Sequence, residues 1–378
     1  MMKWIRMMVM AVASLLFLGG QGTLFAAEEK EKKWFENVNV SGFVDVYYGY
    51  NFNQPGNGPG GVRENQLRNF DLHNDQFSLS LFELSIRKDP APFGFRVDLD
   101  FGPTTEVVHG TEPTPAFGAA VGEAGNEIYK HLQEAYLTWQ PNSMWKVEVG
   151  KFVTHMGFEV IESKDNWNYS RGLLFAFAIP FYHSGLRISH AHENFWVNGY
   201  IYNGWNNVTE DNAGKTFGAQ LGLNPIKGLT VIQNWIGGPE PGANEGRHVF
   251  DTIVMFSPVD MLSLGLNYDY GWMDTGVGDN IWSGIAAYAR IAPTDRLAFT
   301  TRLEWFDDKS GAVTATPTGV GEIIKEVTVT AEHKCSENLL TRLEYRSDWS
   351  TGNIFNSDTG TANTDTQDTI TLGLVYSF

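Results

Sequence analysis

Along much of this chain, apolar and polar residues alternate with a period of two. In Leu262-Ser-Leu-Gly-Leu-Asn-Tyr-Asp-Tyr-Gly-Trp272 the even positions are apolar or aromatic and the odd ones small or polar. In Phe93-Gly-Phe-Arg-Val-Asp-Leu-Asp-Phe101 the odd positions are apolar, while Arg96, Asp98 and Asp100 share the other face. Phe217, Ala219, Leu221 and Leu223 oppose Thr216, Gly218, Gln220 and Gly222, and Leu339, Leu343, Tyr345 and Trp349 oppose Arg342, Glu344, Arg346 and Asp348. The last such segment puts Ile370, Leu372, Leu374, Tyr376 and Phe378 on one side. Successive side chains of a strand point to opposite faces, so these segments read as strands with one apolar and one polar face. A soluble sandwich alternates too, but its dry inner face would not tolerate formal charge along whole strands. Trp145, Trp235, Trp272, Trp305, Trp349 and Tyr376 stand at strand ends, where a membrane barrel carries its aromatic girdles.

The connections alternate as regularly as the residues. Short turns fall at Pro90/Pro92, Pro141, Pro225, Pro258 and Pro293, and at Ala191-His-Glu-Asn194 and Cys335-Ser-Glu-Asn338. Between them lie longer Gly/Asn/Asp-rich loops at about 53–73, 102–128, 154–179, 203–215, 237–247, 273–280, 307–321 and 350–366. Bacterial outer-membrane barrels have short periplasmic turns and long outer loops. The pattern therefore predicts an all-β, transmembrane antiparallel β-barrel of about 16 strands, with both ends in the periplasm. The faces of 129–140 and 281–292 are ambiguous, which leaves 14 strands open.

Composition supports that architecture by exclusion. Past residue 27 no run of about 18 apolar residues occurs, so spanning helices are ruled out, and barrels are the other structure that satisfies every backbone group in lipid. The first residues follow the order of a secretory signal peptide: Lys3 and Arg6, the apolar stretch Met7–Leu18, then small residues up to Ala27. The expected organisation is thus a signal peptide at 1–27, a short charged periplasmic segment at 28–36 and one barrel domain at 37–378. Cleavage would take the net charge from −17 to about −19, which argues against nucleic acid as a partner. The single cysteine, Cys335, can form no internal disulfide.

Several motifs add a family resemblance. They are the first strand Val40-Ser-Gly-Phe-Val-Asp-Val-Tyr-Tyr48, then Gln133-Glu-Ala-Tyr136, and a central block. That block comprises Val149-Gly-Lys-Phe152, Gly157-Phe-Glu-Val160, Asn166, Tyr169-Ser-Arg171, Pro180-Phe181 and His183-Ser-Gly-Leu-Arg187. On these residues the chain resembles the beta-barrel porin-2, OmpL-like, family. The terminal Tyr376-Ser-Phe378 looks like the signal by which the barrel-assembly machinery recognises its substrates. The resemblance implies a general outer-membrane porin that meets lipid outside and passes small hydrophilic solutes or ions inside. It names no solute and leaves a homo-oligomer open.

No catalytic or cofactor motif is present: no Gly-rich phosphate loop, no His-Glu-x-x-His and no Gly-x-Ser-x-Gly. His190-Ala-His-Glu193 reads as a polar turn and Asp358–Asp368 as a solvated loop. We therefore expect neither enzyme activity nor a cofactor. The alternative to a diffusion channel is a structural sheath around an electron-carrying cytochrome. If the alternation holds, Arg87, Arg96, Asp98, Asp100, Lys146, Glu148, Arg302, Glu304, Arg342, Glu344 and Arg346 point into the lumen. A barrel this wide is not filled by its wall side chains, so the lumen is expected to hold water. The aromatic and charged segment 154–179 is expected to fold inward, with Glu159, Glu162, Lys164, Asp165 and Arg171 at a constriction. Arg342 and Arg346 would then face the conducting path, ion selectivity would be weak, and Asn267→Arg would be tolerated where Leu266→Arg is not.

Overall fold

The computed structural model describes residues 37–56, 63–112, 129–240, 246–276, 278–314, 316, 319 and 321–378. The expected signal peptide and the charged segment up to residue 36 lie outside the described residues. Sixteen antiparallel strands close into a barrel. In chain order they begin with β1 (Val38–Asn51), β2 (Gln76–Lys88), β3 (Phe93–Phe101), β4 (Leu132–Trp139), β5 (Trp145–Val153) and β6 (Tyr182–Ala191). They continue with β7 (Phe195–Tyr202), β8 (Thr216–Ile226), β9 (Leu229–Gly238), β10 (Arg247–Val259), β11 (Leu262–Asp274) and β12 (Asp279–Thr294). The series ends with β13 (Leu297–Asp308), β14 (Glu322–Lys334), β15 (Leu339–Ser350) and β18 (Thr366–Ser377). A small hairpin, β16 (Phe355–Ser357) and β17 (Gly360–Thr364), ornaments the last long loop. Each strand pairs with its sequence neighbours, and β1 pairs with β18 to close the wall. Phe378 extends that seam, exchanging backbone hydrogen bonds with Gly42 in both directions.

The two ambiguous segments resolve as strands. Segment 129–140 contributes β4, where a register shift opposite Asp98/Leu99 interrupts the period of two. Segment 281–292 lies within β12, whose Trp282, Gly284, Ala286 and Tyr288 face inward. Three of the proline turns need correcting. Pro225, Pro258 and Pro293 sit inside the ends of β8, β10 and β12, each within a register shift, and the turns follow two or so residues later. A proline lacks the N–H that a ladder needs, so it is accommodated where the ladder is already interrupted. The residue before each proline keeps its bond: Asn224, Ser257 and Ala292 donate to Asn194, Gly228 and Met261 respectively.

Relative to a soluble protein the burial is inverted. Leu264, Leu266, Tyr268 and Tyr270 of β11 are exposed, while Gly265, Asn267, Asp269 and Gly271 between them are buried. The same holds for Leu343 and Tyr345 against Arg342, Glu344 and Arg346 in β15. An apolar band of this extent is stable only against lipid. Near the outer rim Trp235, His248 and Trp272 stack in a row, with centroids 6.1 and 4.8 Å apart, as part of an aromatic girdle.

Candidate functional site

The site begins with the connection between β5 and β6. Residues 154–181 run inside the barrel rather than over it, because their backbone groups find partners on the inner wall. Gly157 N donates to Asp251 at 2.7 Å and Phe158 N to Asn267 at 2.9 Å. Tyr169 N and Ser170 N both donate to Glu344, at 2.6 and 2.9 Å. Leu173 N donates to Glu304 at 2.5 Å. Ser163 Oγ and Tyr169 OH reach Asp45 of β1 at 2.6 and 2.8 Å. The wall donates in return: Trp282 Nε1 to Ala178 O, Arg346 to Arg171 O, and Arg342 to Ser163 O and Asn166 O. A loop with many backbone groups can be buried only if nearly all are satisfied, and this one uses the lumen acids as acceptors.

The loop brings an apolar core with it. Met156, Ile161, Leu173, Leu174, Phe175, Ala178 and Ile179 are buried against Phe70 of the 52–75 loop and against Tyr200, Trp282, Tyr288 and Phe306 of the wall. A single π-helical turn at Leu174–Ala178 packs on β11 and β12. The expectation of a lumen filled by water is corrected here: beside β10–β15 it is filled by protein.

That correction redistributes the sequence-derived residues. Arg302, Glu304, Arg342, Glu344 and Arg346 do point inward, but each is covered by the loop and at most 5% exposed. Arg302 pairs with Glu159 at 2.6 Å and Glu326 at 2.7 Å, and donates to Ser170 O at 2.7 Å. Arg342 pairs with Glu332 at 2.7 Å, and Arg346 with Asp348 at 2.7 Å. Of the residues expected at a constriction, Glu159 and Arg171 face the wall and the loop interior. Glu159 accepts from Gly172 N at 2.6 Å, and Arg171 donates to the carbonyls of Val160, Ile161 and Tyr169 while lying 4.8 Å from the Phe70 ring. Glu162 and Lys164 are half-buried and Asp165 is exposed, so these three stand on the loop's free side.

The opposite wall, β2–β7, carries the remaining residues. Cross-strand register sets Glu83 beside Asp100, Arg87 beside Arg96, Asp98 beside Glu134, and Glu148 beside Arg187. Arg96 bridges Asp98 at 2.6 Å and Glu134 at 3.0 Å, while Glu148 takes Arg187 at 2.5 Å and Lys146 at 3.2 Å. The side chains of Arg96 and Lys146 keep over a third of their surface exposed, and Arg87 is exposed at the periplasmic end. One oxygen each of Glu83, Asp98 and Asp100 is buried without a hydrogen-bond partner among the described residues. At the β7 end of this wall, His155 stacks on Tyr200 at 4.2 Å, and burial holds its imidazole down at about 3, so it stays neutral.

Asp45, Glu83, Glu134 and Asp251 were missed by sequence reasoning although they obey the same alternation. Arg68, which pairs with Asp71 of its own loop at 2.6 Å and with Asp348 of β15 at 2.7 Å, carries no local signal at all. His190 and His192 lie against Trp145 and Phe195, and no cluster of three metal-ligating side chains occurs among the described residues.

A pinned inner loop inside a sixteen-stranded barrel is the geometry of a porin, and the family match agrees. The family described as Putative beta-barrel porin-2, OmpL-like, matches residues 37–378. The chain belongs to that family. This porin resides in the bacterial outer membrane and forms a channel-type barrel. Its fold is similar to an anion-selective porin from Comamonas acidovorans, with TM-score 0.61 and 10% identity over 90% of this chain and 99% of that one. It is also similar to OmpF of Salmonella typhi in complex with daunomycin, with TM-score 0.58 and 11% identity over 90% and 97% of the two chains. A third similar structure is in-vitro folded OmpT, an outer membrane protein of Vibrio cholerae, with TM-score 0.57 and 14% identity over 90% and 97%. No curated protein sequence matches the porin.

Proposed function

We propose that this porin passes small hydrophilic solutes by passive diffusion along the side of the lumen between the inserted loop and β2–β7. The observation that carries this reading is the asymmetry of the lumen. The loop is pinned to β1 and β10–β15, while Arg96 and Lys146 on the other wall remain partly in water. Arg87, Arg96 and Lys146 are then the water-facing wall of the path, backed by the buried carboxylates of Asp98, Asp100 and Glu148, and Glu162, Lys164 and Asp165 are its loop side. Charges of both signs facing a narrow gap create a transverse field that orients dipolar solutes. A sheath around a cytochrome would need a lumen clear of protein, and the buried cluster around Leu173, Phe175 and Trp282 occupies that space.

Refolded protein in a planar bilayer should give discrete conductance steps. A heat-modifiable, correctly folded barrel that gives none would rule the channel out. Export belongs to the same proposal: cleavage after Ala27 should leave Glu28 as the first residue, which N-terminal sequencing of outer-membrane material reads directly. A Vibrio cholerae neighbour is described in a trimer form, so a homo-oligomer is the state to test by the mass of the detergent-solubilised particle.

A further inference from the structure

Above the inserted loop, at the outer mouth, lies a cavity of about 540 Å³. That size lies within the usual range for small-molecule sites, roughly 300–1,000 Å³. Its apolar floor includes Phe177, Ile179 and Phe181 of the loop, and its side includes Trp205 and Met273. Arg247, the first residue of β10, also lines it. The Arg247 guanidinium lies 3.7 Å from the Trp205 ring centroid and 5.1 Å from that of Trp282, so two indoles fix its plane.

Among the described residues Arg247 makes no direct salt bridge, and the Glu240 carboxylate acts on it only through space. Arg96, Arg187, Arg290, Arg302, Arg342 and Arg346 each face a carboxylate. Among the described residues Arg247 has no ion pair and no side-chain hydrogen bond, and its Nε is buried without an acceptor. Asn207, 2% exposed and also lining the cavity, has an Nδ2 with no acceptor among the described residues. Leaving buried donors unsatisfied is costly, about 1–3 kcal/mol each and more for a charged group. Glu240 lines the same cavity but is already engaged: its Oε1 accepts from Trp205 N at 3.0 Å and Thr216 Oγ1 at 2.7 Å. Asp211 is exposed on the rim.

We propose that this cavity is a binding site for small organic carboxylates with an apolar body, the carboxylate seated on Arg247 and Asn207 and the body on Phe177 and Phe181. A planar guanidinium presents a fork that matches a carboxylate in two parallel hydrogen bonds. The apolar floor rejects a bare inorganic anion, which would lose its water there and gain nothing. The site sits at the mouth, so it concentrates such solutes before the narrow part of the lumen.

The test is calorimetric titration of the refolded, detergent-solubilised barrel with 3-phenylpropanoate and with 2-phenylethylammonium. The wild type should bind the carboxylate saturably at one site and the ammonium at least tenfold more weakly. Arg247→Gln should weaken the carboxylate about tenfold or more, the loss expected for one charge-assisted bond. Arg247→Lys should recover part of it, because charge is kept and the fork is lost. If Arg247→Gln fails to fold by heat-modifiable migration, Asn207→Ala should still weaken binding severalfold. Unchanged binding in the folded variants, equal affinity for the ammonium, or no saturable heat with the wild type would each overturn the site. Binding is read without current, so a barrel that binds and does not conduct counts against the channel and not against this site.

Discussion

At the scale of single residues, the anchorage of the inner loop converges on Arg302. It is fully buried and holds Glu159 from the loop and Glu326 from the wall at once. Removing one partner of a buried pair leaves the others uncompensated and costs about 3–5 kcal/mol. Arg302→Met should therefore lower the urea midpoint of unfolding and, by loosening the loop, raise single-channel conductance. A variant with wild-type midpoint and conductance would show that the loop is held elsewhere. The neighbours Leu266 and Asn267 make the same point about faces. Leu266 is 37% exposed on the lipid side, and an arginine there should cost about 2–4 kcal/mol and reduce the yield of heat-modifiable barrel. Asn267→Arg, expected from sequence to be harmless, should also be damaging. Asn267 accepts from Phe158 N at 2.9 Å and donates to Asp251 at 2.7 Å, and a bulky cation would displace the loop. If semi-native gels and proteolysis show an intact barrel and a protected loop in Asn267→Arg, this role of Asn267 is wrong.

At the scale of elements, Gly150 shows how one backbone conformation serves the site. Its φ is +143°, and a Cβ there would stand 2.1 Å from Ala135 O, so β4 and β5 could not stay paired around it. Beyond it Lys151 and Phe152 are both buried instead of alternating, and the chain turns inward into the loop. Gly150→Ala should cut folding yield sharply. Gly199→Ala is the control, because a Cβ on Gly199 meets nothing within 4 Å. Equal refolding of the two variants, measured as the fraction migrating as folded barrel, would contradict this reading.

At the scale of the whole molecule, the alternation of short turns and long loops fixes orientation. The hairpin of β16 and β17 belongs to a long connection and should face outward. An epitope inserted at Gly360 should be labelled on intact cells, and labelling only after the outer membrane is permeabilised would invert the topology. The strands that carry the pinned loop, β10–β15, are 12 to 16 residues long, whereas on the other wall β2 has 13 and β3–β7 have only 8 to 10. The taller wall thus supports the protein-filled half of the lumen, and the shorter wall borders the half proposed as the path.

The sequence by itself determined the barrel, because the period of two is local: each residue declares its face to its own strand, and turn chemistry marks each reversal. That is why the inward direction of Arg96, Asp98, Asp100, Arg302, Arg342 and Arg346 is legible in the sequence. The two segments that resisted assignment are ones where local order weakens, at the shifted register of β4 and at the small inward residues of β12. Which inward charges meet water was not local. It depends on where residues 154–181 come to rest, and that is fixed by partners far along the chain, such as Asp45 for Ser163, Asp251 for Gly157 and Glu344 for Tyr169. Only the closed wall brings those acceptors within reach of the loop's backbone donors. Closure therefore decided that Arg302, Arg342 and Arg346 became anchors, and it left Arg247 at the mouth without a salt bridge among the described residues.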